Sequence, residues 1–323
     1  MKFTIFGAGA IGGVLASRLA DAGHDVHLIA RGANLKALRA EGLLVRSRVF
    51  GERRHKLPAS ADPAEVGPSD YVILAMKAGS LPGAARDVAS LRRADTTFVS
   101  LQNGMPWWYF HGIDGDEQPI EAVDPGGTVT RNIPPEQCLG AIAYISSSMP
   151  TPGVVEHTSG ARLPIGEPSG KRTRRCLQLA AALRSAGIKA PVRANIRHEL
   201  WVKLMGNAAF NPLSALTRTT LSELTASPHG VRVIASIMDE VREVAAAAGV
   251  QIALSNERRI AGARAVGSHK TSMLQDLERG RQHELDALLG AVIELADRWH
   301  VAVPAIRAVD GATRVAFEHG TRR

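Results

Sequence analysis

The chain has 323 residues, 45% hydrophobic and 22% charged, the balance of a globular protein long enough for two domains. Its two cysteines, Cys138 and Cys176, are too few for a disulfide framework and show no metal-site spacing, so no metal and a reducing compartment, the cytoplasm, are expected. The net charge of +8 comes from dispersed groups such as Arg46, Arg48, Arg53 and Arg54, or Lys171, Arg172, Arg174 and Arg175; without interleaved aromatics these point to small anionic ligands and away from nucleic acid.

Phe3 to Phe6 reads as a short strand, followed by G-A-G-A-I-G (Gly7, Ala8, Gly9, Ala10, Ile11, Gly12) and at once by a helical apolar pattern. This is a dinucleotide fingerprint in its required setting, between a strand and a helix. Gly7 allows the tight turn, Gly9 lets the backbone approach a pyrophosphate, and Gly12 lets the helix pack on the sheet. The helix N-terminus then offers N–H groups and partial positive charge. Gly7, Gly9, Gly12 and Gly13, with Arg18 and Asp21 close behind, also argue against a signal peptide. No run of about 18 uncharged apolar residues suggests a membrane span. Ala22 to Asp25 makes a turn, and Val26 to Ala30 the second strand, with Arg31 at its end. An acid there would hold the ribose of NAD; a cation suits the 2′-phosphate, so NADP (NADPH) is the expected cofactor.

Ala33 to Ala40 looks helical, and Leu43–Val49 with Glu52–Leu57 reads as a small hairpin around Gly51. Tyr71 to Met76 is a continuous apolar run, preceded by Asp70 and ended by Lys77, fitting a parallel strand buried on both faces. Thr97 to Leu101 is the next strand and leads into Gln102, Asn103 and Gly104. Pro106 and four consecutive aromatics, Trp107, Trp108, Tyr109 and Phe110, come next, then a turn-rich stretch from His111 to Gly127. The aromatics read either as a wall or lid beside the nicotinamide or as buried area against the sheet. Further strands are expected at Ala141–Ser146, Gly153–His157 and Arg162–Ile165. The alternation argues for a Rossmann-type doubly wound α/β domain over residues 1–194.

From Asn195 the pattern turns helical. Ile196–Leu216, Val231–Ala248 and Glu284–Trp299 carry the period, and Leu285, Leu288, Leu289, Val292 and Leu295 mark one apolar face. Gly249 fits a helix stop, and Pro304 bars easy continuation. Residues 195–323 are therefore expected to form an all-helical substrate domain, with the ligand cleft between the two. Such a domain often supplies a dimer face, which leaves a homodimer open.

Lys203, Asn207 and Asn211 are spaced by four and share a helix face. Asparagine is a poor interior helix residue, and Pro212 should kink or end the helix near Asn211. A lysine with two amides at a broken helix makes a carboxylate and carbonyl site; an exposed polar stripe is the other reading.

W-V-K-L-M-G-N-A-A-F-N-P-L-S-A-L (Trp201–Leu216) resembles the signature helix of ketopantoate reductases. The resemblance recurs at T-S-M-L-Q-D (Thr271–Asp276), R-G-R-Q-H-E-L-D (Arg279–Asp286), the glycine fingerprint, Arg31, M-K-A (Met76–Ala78) and Q-N-G-M (Gln102–Met105). These blocks run in family order over almost the whole chain. The resemblance implies that Lys203 is the general acid, that Asn207 and Asn211 hold the substrate, and that Ser272 binds its carboxylate. It implies that Glu284 is the acid at the nicotinamide end, that Asn103 lies between cofactor and substrate, and that Lys77 joins Arg31 near the 2′-phosphate. The side chains suit the chemistry: hydride attack on a ketone builds negative charge on oxygen, which an ammonium stabilises and protonates. Glu284 would orient Lys203 and tune it. Without the family blocks, Glu284 would read as a surface helix residue facing Arg279 or Arg281, and Ser272 as a helix N-cap.

Two features depart from the family. Where it usually continues with a short polar helix, this chain has the aromatic run; and His269 stands where asparagine is often seen, adding a candidate cation near the substrate carboxylate. The leading expectation is an NADPH-dependent reductase of a 2-oxo acid, foremost ketopantoate to pantoate in pantothenate and coenzyme A synthesis. The alternatives are a reductase of another 2-oxo acid or β-keto compound, and a non-catalytic NADP-binding regulator.

Overall fold

The computed structural model describes residues 1–113 and 118–320; residues 114–117 of the turn-rich stretch lie outside them. The chain opens with β1 (Lys2–Phe6), α1 (Ala10–Asp21), β2 (Asp25–Ile29), α2 (Gly32–Glu41), the hairpin β3 (Leu43–Ser47) and β4 (Gly51–His55), and the short β5 (Ala59–Ser60). There follow β6 (Tyr71–Leu74), α3 (Leu81–Ala89), β7 (Thr97–Ser100), α4 (Thr128–Asn132), β8 (Cys138–Ala141), β9 (Tyr144–Thr151), β10 (Val154–Arg162), β11 (Ile165–Gly166) and α5 (Arg174–Ser185).

The main sheet runs β11-β8-β7-β6-β1-β2-β5. It is parallel except for β11, which pairs antiparallel with β8. From β1 the chain goes to β2 on one side and returns to β6 on the other, creating the switch point where open α/β sheets bind ligands. All four residues of β6 are buried, as a strand covered on both faces must be.

The hairpin is not part of this sheet. It joins β9 and β10 in a second sheet, β4-β3-β10-β9, which lies over α1. There Gly13 is a packing residue: a Cβ on it would stand 2.7 Å from Val155 Cγ2. The strands expected at 141–146, 153–157 and 162–165 take different limits because β9 and β10 form one long antiparallel hairpin about Gly153, whose φ is +77°.

The second half holds α6 (Ile196–Thr217), α7 (Leu221–Ala226), α8 (Pro228–Ala247), α9 (Asn256–Ala265), α10 (Ser272–Glu278), a π turn at Asp286–Gly290 that runs into α11 (Ala291–Arg298), and α12 (Pro304–Gly320). Asn195, Ser227 and Ser255 cap α6, α8 and α9 with side-chain acceptors. α6 does not end at Asn211. It passes through Pro212 to Thr217, because the missing N–H removes one bond while the buried run Ala208–Ala215 holds the last turns in place. No described helix is long and apolar enough to cross a membrane.

One apolar core, including Phe3, Ile5, Leu15, Leu28 and Val99, fills one side of the main sheet. The other starts at Phe6, Val72 and Phe98 and continues without a break through Trp107, Trp108 and Tyr109 to Trp201, Met205, Met238 and Leu289. The aromatic run thus welds the sheet to the helices. Trp107 Nε1 donates to the Ile133 carbonyl at 3.1 Å, and Trp201 Nε1 donates to the Tyr109 hydroxyl at 2.7 Å. Gly140 of β8 makes room for the run: a Cβ there would be 2.7 Å from Trp108 Cζ2. The wall-or-lid reading fails, and the buried-area reading holds.

Candidate active site

A cavity of about 570 Å³ opens at the C-terminal ends of β1, β2, β6 and β7 and is closed on its far side by α10 and Glu284. Gly7, Ala8, Gly9, Ala10, Ile11, Arg31, Lys77, Asn103, Ser272 and Glu284 all line it. Gly12 is buried just behind, while Lys203, Asn207 and Asn211 are not among its lining residues.

The glycine turn fits a dinucleotide. Gly7 has φ +103°, and a Cβ on it would stand 2.8 Å from the Met76 nitrogen. On Gly12 a Cβ would lie 2.3 Å from the Gly7 oxygen, whereas Gly9 faces open space with nothing within 4 Å. Gly9 caps α1 without a side-chain acceptor, which leaves first-turn N–H groups for an anion. Asn34, which sequence reasoning did not single out, donates to the Ala8 oxygen and accepts from Gly153 N, both at 2.8 Å. It thereby ties the turn to the second sheet. Arg31 stands exposed at the rim, paired with Asp87 at 2.8 Å.

Asn103 and Glu284 are brought together by a backbone device. The π turn presents the Ala287 carbonyl, which accepts from Met105 N at 2.8 Å. Gly104, with φ +88°, fits against it; a Cβ would be 2.3 Å from that oxygen. The Q-N-G-M loop is thus docked on the helical half, and Asn103 Nδ2 donates to Glu284 Oε2 at 3.3 Å. Glu284, 7% exposed, also accepts from Ala78 N at 3.3 Å and from Lys77 Nζ at 3.4 Å. It is not a surface residue facing arginines.

Lys77 lines the same cavity as Arg31 and is paired with carboxylates. Its ammonium donates to Asp276 at 2.5 Å as well as to Glu284, because two carboxylates drawn into one cleft demand a counter-charge. Burial opposes the charge on Lys77, but Glu284 and Asp276 outweigh burial and hold it above the ordinary lysine range. Burial raises Asp276, and Lys77 offsets this only in part because it is shared with Glu284, itself a like charge. Asp276 was missed in the sequence. Its signal was an acid on the apolar stripe of α10, beside Met273 and Leu277.

Lys203 lies on α6, which packs against α10 and the π turn. Its side chain is half-buried and makes no hydrogen bond or ion pair among the described residues. Burial pulls its ammonium down to about 8, and Glu284 pulls the other way. Asn207 is half-buried and Asn211 buried, on the same face. Ser272 is not the cap of α10; Thr271 is, accepting from Leu274 N, so the exposed Ser272 hydroxyl is free to face the cavity. Burial lowers the pKa of His269, which works against the cation expected there.

The chain matches the model described as ketopantoate reductase PanE/ApbA over residues 3–170 and the corresponding C-terminal model over residues 195–315. It belongs to the ketopantoate reductase family. It is 46% identical to a 2-dehydropantoate 2-reductase of Mesorhizobium japonicum, over 99% of each chain. Among solved structures it is similar to a ketopantoate reductase of the PanE/ApbA family from Ralstonia eutropha, with 30% identity, a TM-score of 0.85 and coverage of 99% and 100%. A 2-dehydropantoate 2-reductase from Geobacter metallireducens shows 26% identity and a TM-score of 0.86 over 98% and 100%. The chain is thus an oxidoreductase with a nicotinamide-type cradle.

Proposed function

We propose that this protein reduces ketopantoate (2-dehydropantoate) to pantoate with NADPH, a step toward pantothenate and coenzyme A. The observation that carries the reading is Lys203: an unpaired ammonium, lowered to about 8, on the helix that packs behind the cofactor cavity. When bound, the reduced nicotinamide supplies a hydride to the ketone carbon. Lys203 stabilises the charge that develops on the ketone oxygen and gives that oxygen its proton, help of roughly 10²–10⁴-fold. Asn103, Asn207 and Asn211 orient the substrate by their amides, and Ser272 takes its carboxylate. Glu284 keeps Lys203 from falling further and holds Asn103 in place. The glycine turn from Gly7 to Gly12 cradles the pyrophosphate, and Arg31, exchanging Asp87, takes the 2′-phosphate. Residues 1–194 supply the cofactor side and residues 195–323 the substrate side, in a chain compatible with a homodimer.

The test is a screen of ketopantoate and other 2-oxo acids with NADPH and with NADH, followed by absorbance. Ketopantoate with NADPH is expected to give the highest kcat/KM. A rival oxo acid far above it would move the assignment to that acid, and absence of any cofactor oxidation would remove the enzyme reading.

A further inference from the structure

Arg259 of α9 lies across α6. A Cβ on Gly206 would stand 2.1 Å from its Nη2 and 2.5 Å from its Nε, so the guanidinium in this position packs directly on the bare backbone of the glycine. Gly206 follows Lys203 by one turn and adjoins Asn207, which sets Arg259 on the flank of α6 that carries the lysine and the amide. The Phe210 ring, one further turn along, is 5.2 Å from Arg259 Cζ.

The guanidinium is held by shape and by no anion. Among the described residues it makes no hydrogen bond and no ion pair. Tyr144 of β9 stands near it, but that hydroxyl donates to Glu199 at 3.4 Å. Glu199 is in turn already engaged by Arg162 at 2.9 Å and Arg193 at 2.8 Å. Arg259 is only partly exposed, yet none of its nitrogens is sealed from solvent. A half-buried guanidinium whose fork of donors meets no protein acceptor is open to a carboxylate.

We propose that Arg259 anchors the carboxylate of the 2-oxo acid, gripping both oxygens in the bidentate geometry that guanidinium and carboxylate share. The inference rests on the reductase reading above. In a 2-oxo acid the carboxylate and the ketone sit on adjacent carbons, so the two cations that serve them must be neighbours, and Arg259 meets α6 one turn from Lys203. From Lys203 to Gly206 the helix rises about 4.5 Å. Ser272 then supplies one hydroxyl to a carboxylate whose charge Arg259 balances.

The test uses the full chain with NADPH bound and oxamate, an unreactive carboxylate-bearing mimic of a 2-oxo acid, titrated by calorimetry. The wild type should bind oxamate, and Arg259→Met should weaken that binding at least about 30-fold. Arg259→Lys should fall between them, keeping the charge and losing the fork. NADPH affinity should be unchanged, which also reports that each variant is folded. In kinetics, Arg259→Met should raise the KM for ketopantoate by a similar factor and leave turnover of its methyl ester unchanged. Equal losses for acid and ester, unaltered oxamate binding in the variant, or a wild type that ignores oxamate would each overturn the anchor. A wild type that binds oxamate through Arg259 but reduces no 2-oxo acid would overturn the reductase reading and leave the anchor standing.

Discussion

Replacing Lys203 with methionine should make the folded protein inactive and more stable. Holding this lysine at about 8 instead of an ordinary 10.5 corresponds to about 3 kcal/mol of preference for the neutral amine, at about 1.4 kcal/mol per tenfold. Below pH 8 both the folded and the unfolded chain carry the proton, so the folded state bears the whole penalty. Between pH 8 and 10.5 the folded chain releases it first. The unfolded chain then holds more protons, and stability climbs with pH. Methionine fills a similar volume without charge, so Lys203→Met should gain roughly 1–3 kcal/mol at neutral pH, the lower end allowing for the side chain's partial exposure. Urea unfolding at neutral pH and near pH 9.5, followed by fluorescence and circular dichroism together, measures it. The pH-dependent part of the difference isolates the charge from any change in packing. A variant no more stable than the wild type at neutral pH, or a gain that fails to shrink toward pH 9.5, would refute the reasoning.

Three more outcomes follow from the site. Turnover should fall as pH rises through about 8, where Lys203 loses its proton; Glu284→Gln, which removes the charge that props Lys203 up, should move this alkaline limb to lower pH in a pH–rate profile. Arg31→Ala should weaken NADPH binding by about 10- to 100-fold and NADH binding far less, as read by fluorescence titration; equal losses would undo the 2′-phosphate role. Trp108→Ala should cost about 3–5 kcal/mol in urea unfolding while leaving the KM of the remaining folded enzyme unchanged, since Trp108 is core and not cavity wall.

The parts of the fold legible in the sequence are those encoded by nearby residues. The turn from Gly7 to Gly12 and the buried strand at Tyr71–Leu74 follow from local pattern, because a strand, a glycine turn and a helix constrain one another within a dozen residues. The hairpin of the second sheet was legible but its joining to β9 and β10 was not, since β9 carries Ser146, Ser147 and Ser148 and is half-exposed, so no apolar alternation marks its length. Pro212 misled because its penalty is local and the burial that outweighs it is tertiary. Thr271 and Ser272 are both good caps, and only the geometry separates the one that caps from the one left free. The ion pairs of Lys77 were not legible, because the carboxylate that claims it most closely, Asp276, lies 199 residues away.

The two lysines of this cleft show why residue identity alone does not assign a proton donor. Lys77 and Lys203 are both drawn out of bulk water, and for both of them burial favours the neutral amine. The difference lies in where the carboxylates went. Lys77 touches Asp276 and Glu284 and is held above the ordinary range, so it keeps its proton throughout the working pH and serves as a clamp between the halves of the molecule. Lys203 feels Glu284 only at a distance, and burial wins. A general acid works best when its pKa lies near the operating pH, and of the two only Lys203 meets that condition. The clamp also bears on the proposed donor: Glu284 is the carboxylate that pulls the Lys203 pKa upward, and by pairing with Glu284 Lys77 keeps it from closing on Lys203 as a tight ion pair that would hold the proton back.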